Sequence, residues 1–316
     1  MQGKESAVRE ETARELLNAR FIDLQTKVLD YYGVDATSRY VQLEQPCMRA
    51  HVLEAGEGEP VVLFHGGDGE ALNWAPLLKP LQEKVHFFAV DRPGFGLSDA
   101  FDYSTVNIRK HCSDFVVSLL DALGLESATL IGGSMGGFFV LAAGIDHPDR
   151  VRRIVLSGAA VGTTTDMGDM IKKICSSPEA AAEFMRGRDN MAAQKDQYRY
   201  MFNVDPAIVP DIYYEARIAG LQLPSEQGTW ATMLIRLGTA EGIRPEIYLF
   251  DEFSQIRAPT LVLWGDHDMA PPEVGQAVAD IIPSGRFLAM EGGGHFPQLE
   301  APDLMAAAIA DFMKST

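Results

Sequence analysis

The sequence has only three cysteines, Cys47, Cys112 and Cys175, far apart and with no C-x-x-C spacing. That pattern supplies neither a disulfide framework nor a zinc site, and it fits a reducing compartment. Positive charge is also scarce: 27 Lys and Arg stand against 44 Asp and Glu, a formal net charge of -17. Nucleic acids and anionic membranes are held by clustered cations, so both are excluded as expected partners and a small-molecule substrate is expected instead. No stretch reaches the ~18 apolar residues that a membrane span requires, and the opening MQGKESAVREE is charged where a signal peptide would be apolar. A soluble, cytoplasmic protein is the expectation. Internal repeats and low-complexity tracts are absent too, which excludes solenoids and linkers of biased composition.

At 316 residues and 47% hydrophobic, the chain can bury one large core with an inserted lobe. Short apolar runs recur at 61–64 (VVLF), 86–90 (HFFAV), 128–131 (ATLI), 153–156 (RIVL), 260–264 (TLVLW) and 286–290 (RFLAM). Continuous apolarity over four to six residues suits strands covered on both faces. Helix-like stretches such as HCSDFVVSLLDALGL at 111–125 lie between several of them. This alternation predicts an α/β fold, a mostly parallel sheet with helices on both faces. RYVQLEQP and MRAHVLEAG alternate apolar with polar residues and predict an antiparallel hairpin at the sheet edge. From 161 to 250 no strand-like run occurs, and the span predicts a helical lid between core segments 38–160 and 251–316. Residues 1–37 form a helical extension, with Leu17, Phe21, Leu24 and Val28 on one stripe that packs on the body or on a second copy in a homodimer.

The stretch LIGGSMGGFF at 130–139 places Gly132, Ser134 and Gly136 in a G-x-S-x-G pattern between a strand-like run and a helix-like one. A sharp strand-to-helix reversal leaves no room for side chains beside the central residue, so the glycines are a steric demand. A serine hydroxyl is barely acidic, and as a nucleophile it needs a base and a carboxylate to orient that base. His295, in the glycine-rich EGGGHFPQLEAP, is the histidine whose loop follows a strand. In TLVLWGDHDMAPP, Asp268 is preferred over Asp266 because it stands three residues after Gly265. Attack on a carbonyl also needs two backbone N–H donors for the developing oxyanion. Met135, after the nucleophile, supplies one; Gly67, in VVLFHGGDGE, supplies the other, with His65 pinning that loop through hydrogen bonds. Neighbouring Gly66 and Asp68, together with Phe296 after the histidine, are candidate substrate contacts. Nothing in these patterns calls for a metal or a cofactor.

The HGG loop, AVDRPGFGLSD at 89–99, the G-x-S-x-G turn, HPDRVRRIVL at 147–156, LVLWGDHDMAPP and GGGHFPQLEAP together resemble the α/β-hydrolase superfamily, over all but the first ~35 residues. Asp91 and Arg92 are read as structural. The resemblance implies a serine hydrolase with the chain order Ser134, Asp268, His295, and the first expectation is cleavage of a carboxylic ester with a largely apolar substrate through an acyl-enzyme. A second expectation is carbon–carbon hydrolysis: the elbow and the text MFNVDPAIVPDIYYEARIAG are similar to meta-cleavage-product hydrolases, in which Arg217 would take the position that meets a substrate carboxylate. Gly133 and Phe296 depart from that group, which carries Asn and Trp there. A receptor-like binding protein of the same fold is a third reading. If His295 is the base, the rate declines on acidification as the imidazole takes up a proton; a rate unchanged down to pH 4 would remove His295 from that role.

Overall fold

The computed structural model describes residues 2–67, 69–166, 168–226 and 228–316, apart from the side chains of 2–10 and of residue 170. Ten strands are present among them: β1 Thr37–Leu43, β2 Met48–Ala55, β3 Glu59–Phe64, β4 Val85–Val90, β5 Ala128–Gly133, β6 Val151–Ser157, β7 Gly238–Thr239, β8 Gly242–Ile243, β9 Thr260–Gly265 and β10 Gly285–Met290. Eight of them make one sheet in the order β1-β2-β4-β3-β5-β6-β9-β10. The pairs β1–β2 and β2–β4 are antiparallel, and every other neighbour in that sheet is parallel. All six apolar runs form strands of this sheet, and the expected hairpin is β1–β2 at its edge.

The central strands are apolar throughout because both of their faces are covered. One face packs on helices Ile108–Leu123, Met135–Asp146 and Pro272–Ile281, through residues such as Phe115, Phe138 and Val278. The other packs on helices Gln2–Tyr32, Ala75–Leu81 and Pro302–Ser315, through Phe21, Leu77 and Ile309. Strand β10 differs from the sequence expectation of burial. It ends the sheet, and most of its residues are only partly covered.

Between β6 and β9 the chain runs through helices Gly168–Cys175, Pro178–Met185, Met191–Tyr200, Asp211–Leu221 and Thr229–Leu237. The short β7–β8 hairpin, at positions with no strand-like run, is the only extended pairing in this insertion among the described residues. It is two residues long on each side, too short for any periodicity to reveal it.

The apolar stripe of the N-terminal helix is taken up by the chain's own body. Phe21 and Val28 are fully buried, and the helix lies against helices Asp211–Leu221 and Ala75–Leu81. It therefore bridges the insertion and the sheet layer. Replacement Phe21→Ala removes an aromatic from this junction and should lower unfolding stability by about 3–5 kcal/mol, read as a reduced urea midpoint. A midpoint equal to that of the unmutated protein would mean that the helix is not docked.

Candidate active site

The parallel strands deliver the site to one edge, since loops at their carboxyl ends gather on the same side of the sheet. Gly66 and Gly67 follow β3, Ser134 follows β5, Asp268 follows β9 and His295 follows β10. Ser134 has φ 51° and ψ -115°, a conformation that non-glycine residues rarely adopt, at the start of helix Met135–Asp146. Two glycines make that turn sterically feasible. A Cβ on Gly132 would collide with the Gly136 carbonyl, and one on Gly136 would collide with the carbonyl of Phe64 in the adjacent strand β3.

His295 Nδ1 lies 2.6 Å from Asp268 Oδ1, and both side chains are buried. An ionised carboxylate only accepts, so Nδ1 carries the proton and Nε2 presents its lone pair. That Nε2 is buried with no hydrogen-bond partner. Asp268 is in turn held by the N–H groups of Ala159, 2.7 Å from Oδ2, and Met269, 2.5 Å from Oδ1. Asp266, the rejected alternative, is exposed and makes no contact with His295.

The loop of His295 is pinned at three successive amides. Gly294 and Phe296 donate to the two carboxylate oxygens of Glu300, at 2.7 and 3.0 Å. His295 N–H donates to the Phe202 carbonyl at 3.0 Å, and the Phe202 ring stacks on the imidazole at 5.4 Å between centroids. Burial raises the Glu300 carboxyl above its ordinary pKa, while the two amides oppose that shift. Neither Glu300 nor Phe202 was singled out as a partner of His295 in the sequence, because nothing in their spacing marks a carboxylate or an aromatic as a loop clamp.

Ser134, Met135, Gly66, Gly67, His295 and Phe296 all line one cavity of about 180 Å³. Asp68 lies outside the described residues. The remaining wall is mainly apolar and comes largely from the insertion, including Ile171, Phe184, Trp230 and Leu237. Its only charged side chains among the described residues are Asp166 and the titratable His295; no Lys or Arg is present. Neither the Gly67 nor the Met135 N–H has an acceptor among the described residues.

His65 has the pinning role expected of it: Nδ1 donates to the Gly66 carbonyl at 2.8 Å and Nε2 accepts from the Arg92 N–H at 3.0 Å. Burial, with the Arg92 charge adding to it, holds its pKa well below the ordinary histidine value, so the ring is neutral.

Arg217 corrects the sequence expectation. It does not line the cavity but is buried, with Nη1 on Glu70 Oε1 and 3.3 Å from Glu226 Oε1. Burial pushes the Glu70 carboxyl well above its usual range, Arg217 pulls it back and Glu226 adds to the rise. Arg217 thus sits between two buried carboxyls that already occupy it.

A second hydroxyl–imidazole–carboxyl chain lies on the antiparallel edge. His51 Nδ1 donates to Asp91 Oδ2 at 2.7 Å, and Ser38 Oγ lies 2.7 Å from His51 Nε2. Asp91 also accepts from the N–H groups of Ala71 and Leu97. Ser38 sits near the start of edge strand β1, opposite Leu53, with no helix start beside it to donate to an oxyanion. This chain serves to satisfy a buried carboxylate.

The sheet order and the covering helices are those of an α/β-hydrolase fold. The profile of the alpha/beta hydrolase family matches residues 61–308, and the chain belongs to that family. A 2-hydroxymuconate semialdehyde hydrolase of Pseudomonas sp. (strain CF600) is 28% identical over 277 residues, 84% of this chain and 90% of the relative. A pimeloyl-[acyl-carrier protein] methyl ester esterase of Legionella pneumophila (strain Corby) is 26% identical over 268 residues, 84% of this chain and all of that protein. Among solved structures, the carboxylesterase CesB of Bacillus subtilis is similar in fold with a TM-score of 0.72 at 20% identity, over 95% of this chain and 99% of that one. A meta-cleavage product hydrolase of Pseudomonas fluorescens IP01 reaches a TM-score of 0.68 at 22% identity, over 88% and 97%.

Truncating Arg217 separates the two accounts of it. If it neutralises buried carboxyls, Arg217→Ala leaves them unpaired and should lower unfolding stability by about 3–5 kcal/mol in a urea titration. A residue held for a substrate would give an unchanged midpoint and a raised KM for acidic substrates alone.

Proposed function

We propose that this protein hydrolyses carboxylic esters of uncharged, largely apolar substrates, with Ser134 as nucleophile. One observation carries the reading: Ser134 and the unpartnered Nε2 of His295 open onto a single apolar cavity whose described lining holds no cation. A substrate carboxylate buried there would lack a counter-charge from the described lining, whereas a neutral ester loses little on leaving water.

In this reading Ser134 Oγ attacks the ester carbon while its proton passes to His295 Nε2, and Asp268 stabilises the imidazolium that forms. The carbonyl oxygen becomes negative between the N–H groups of Met135 and Gly67. His295 then gives its proton to the departing alkoxide, leaving an acyl-serine. Water, deprotonated by the same nitrogen, attacks the acyl carbon; the serine oxygen leaves with that proton and the acid is released. The insertion acts as a lid that supplies the apolar wall and excludes bulk water.

Carbon–carbon hydrolysis is the second reading, favoured by the activities named for relatives such as the 2-hydroxymuconate semialdehyde hydrolase. The same nucleophile and base would serve it, but its acidic substrates need a cation at the cavity.

Turnover of p-nitrophenyl butyrate should fall by roughly 10⁴-fold or more in Ser134→Ala. A fluorophosphonate probe should label Ser134, persist in Ser38→Ala and vanish in Ser134→Ala. Efficient cleavage of a dienoic keto acid, with esters left nearly untouched, would replace ester hydrolysis by the second reading. Ligand binding without turnover of either substrate would make the protein a receptor.

A further inference from the structure

Arg92 is fully buried and has no carboxylate within ion-pair reach among the described residues. Arginine keeps its charge in proteins. Its Nη2 donates to the Gly66 carbonyl at 2.7 Å, its Nη1 reaches only the Met233 sulfur at 3.8 Å, and its Nε has no partner. The rings of Phe95 and Phe139 lie 4.5 and 5.3 Å from its central carbon. A bare cation in such surroundings is far costlier than a neutral amide would be, and aromatic faces offset only part of that cost.

The bond to Gly66 shows where that charge acts. The Gly66 carbonyl takes two donors, Arg92 and the Nδ1 of His65. In a trans peptide the C=O and N–H lie in one plane and point in opposite directions. With the carbonyl drawn toward Arg92, outside the cavity wall, the N–H of Gly67 is turned the other way, to the cavity side. Gly66 itself abuts the nucleophile: a Cβ there would stand 3.2 Å from Ser134 Cβ and 3.9 Å from its Oγ.

We propose that Arg92 is a positioning residue for the oxyanion site, fixing the direction of the Gly67 N–H and placing a positive charge, with no ion-pair partner among the described residues, behind the oxygen that becomes negative. The inference rests on the serine-hydrolase reading and goes beyond it, since His65 alone would suffice to pin the loop. Its consequence is selective for the transition state: the ground-state carbonyl carries little charge, so substrate binding gains little from Arg92 while the tetrahedral intermediate gains much.

The test compares Arg92→Met, Arg92→Gln and Arg92→Lys in the full chain, each checked for cooperative unfolding. Readouts are kcat and KM for p-nitrophenyl butyrate and the inhibition constant of a trifluoromethyl ketone, whose adduct with a serine carries a stable oxyanion. Arg92→Met should lower kcat by about 10–100-fold, less than the roughly 10²–10³-fold cost of removing an oxyanion donor outright, with KM nearly constant. The ketone should weaken by a matching factor, and Arg92→Lys, which keeps charge and donor, should recover part of both losses. Should Arg92→Met fail to fold, Arg92→Gln decides by the same two readouts. A folded neutral variant with unchanged kcat, with only KM raised, or with kcat lost while ketone affinity stays constant would overturn the proposal. Wild-type protein without ester turnover or probe labelling would bring down the hydrolase reading itself, a result distinct from active wild type with indifferent Arg92 variants.

Discussion

Helix Met135–Asp146 starts so close to strand β3 that the Cα of Gly136 lies against the Phe64 carbonyl, and the rest of the site follows from that approach. It forces the chain to reverse within one residue after β5, which puts Ser134 in its positive-φ conformation and lifts its side chain clear of the sheet. The same closeness brings the loop after β3 beside Ser134, where Gly66 has no side chain to intervene. Hydroxyl and amide donors thus meet because two strands are neighbours and two glycines let a helix sit down on them. The strain at Ser134 is sustained by the buried sheet and helix on either side.

The imidazole is held by a different kind of constraint. Its loop contains three consecutive glycines, Gly292 to Gly294, and would wander if left to itself. Glu300 closes it from the body and Phe202 closes it from the insertion, one by charge-assisted hydrogen bonds and the other by a backbone bond and a stacked ring. The insertion is therefore coupled to His295 as well as to the cavity wall. A shift of the segment around Phe202 would be felt at the imidazole as directly as in the cavity.

Buried charge is distributed unevenly around this centre. Arg217, Glu70 and Glu226 form a compensated group beneath helix Asp211–Leu221 and away from the cavity, the same helix on which the N-terminal helix rests. Arg92 has no ion-pair partner among the described residues, at the back of the loop that carries Gly66 and Gly67. A balanced cluster and a bare cation make opposite electrostatic contributions: the first ties two parts of the fold together and projects little field, whereas the second projects its field toward the nearest polarisable peptide. That contrast separates the two arginines, although both were buried by the same apolar surroundings.

Much of the architecture was legible in the chain itself. Six apolar runs became strands of the sheet, all but the edge strand β10 because double-sided burial demands continuous apolarity, and Gly132 and Gly136 announced the reversal because a side chain at either would collide with backbone. The preference for Asp268 over Asp266 also followed from spacing, since loop length after β9 fixes which carboxyl can reach the imidazole. Spacing could not reveal the partners of side chains that come from distant segments. Arg217 sits on a helix where either a substrate or two glutamates could claim it, and only tertiary packing placed Glu70 and Glu226 there. Arg92 looked like one more turn residue. Local sequence thus determined turns, strands and the order of reactive groups, because steric limits and burial act over a few residues; tertiary structure alone decided which charges are neutralised, because electrostatic pairing depends on distances between segments that sequence spacing does not fix.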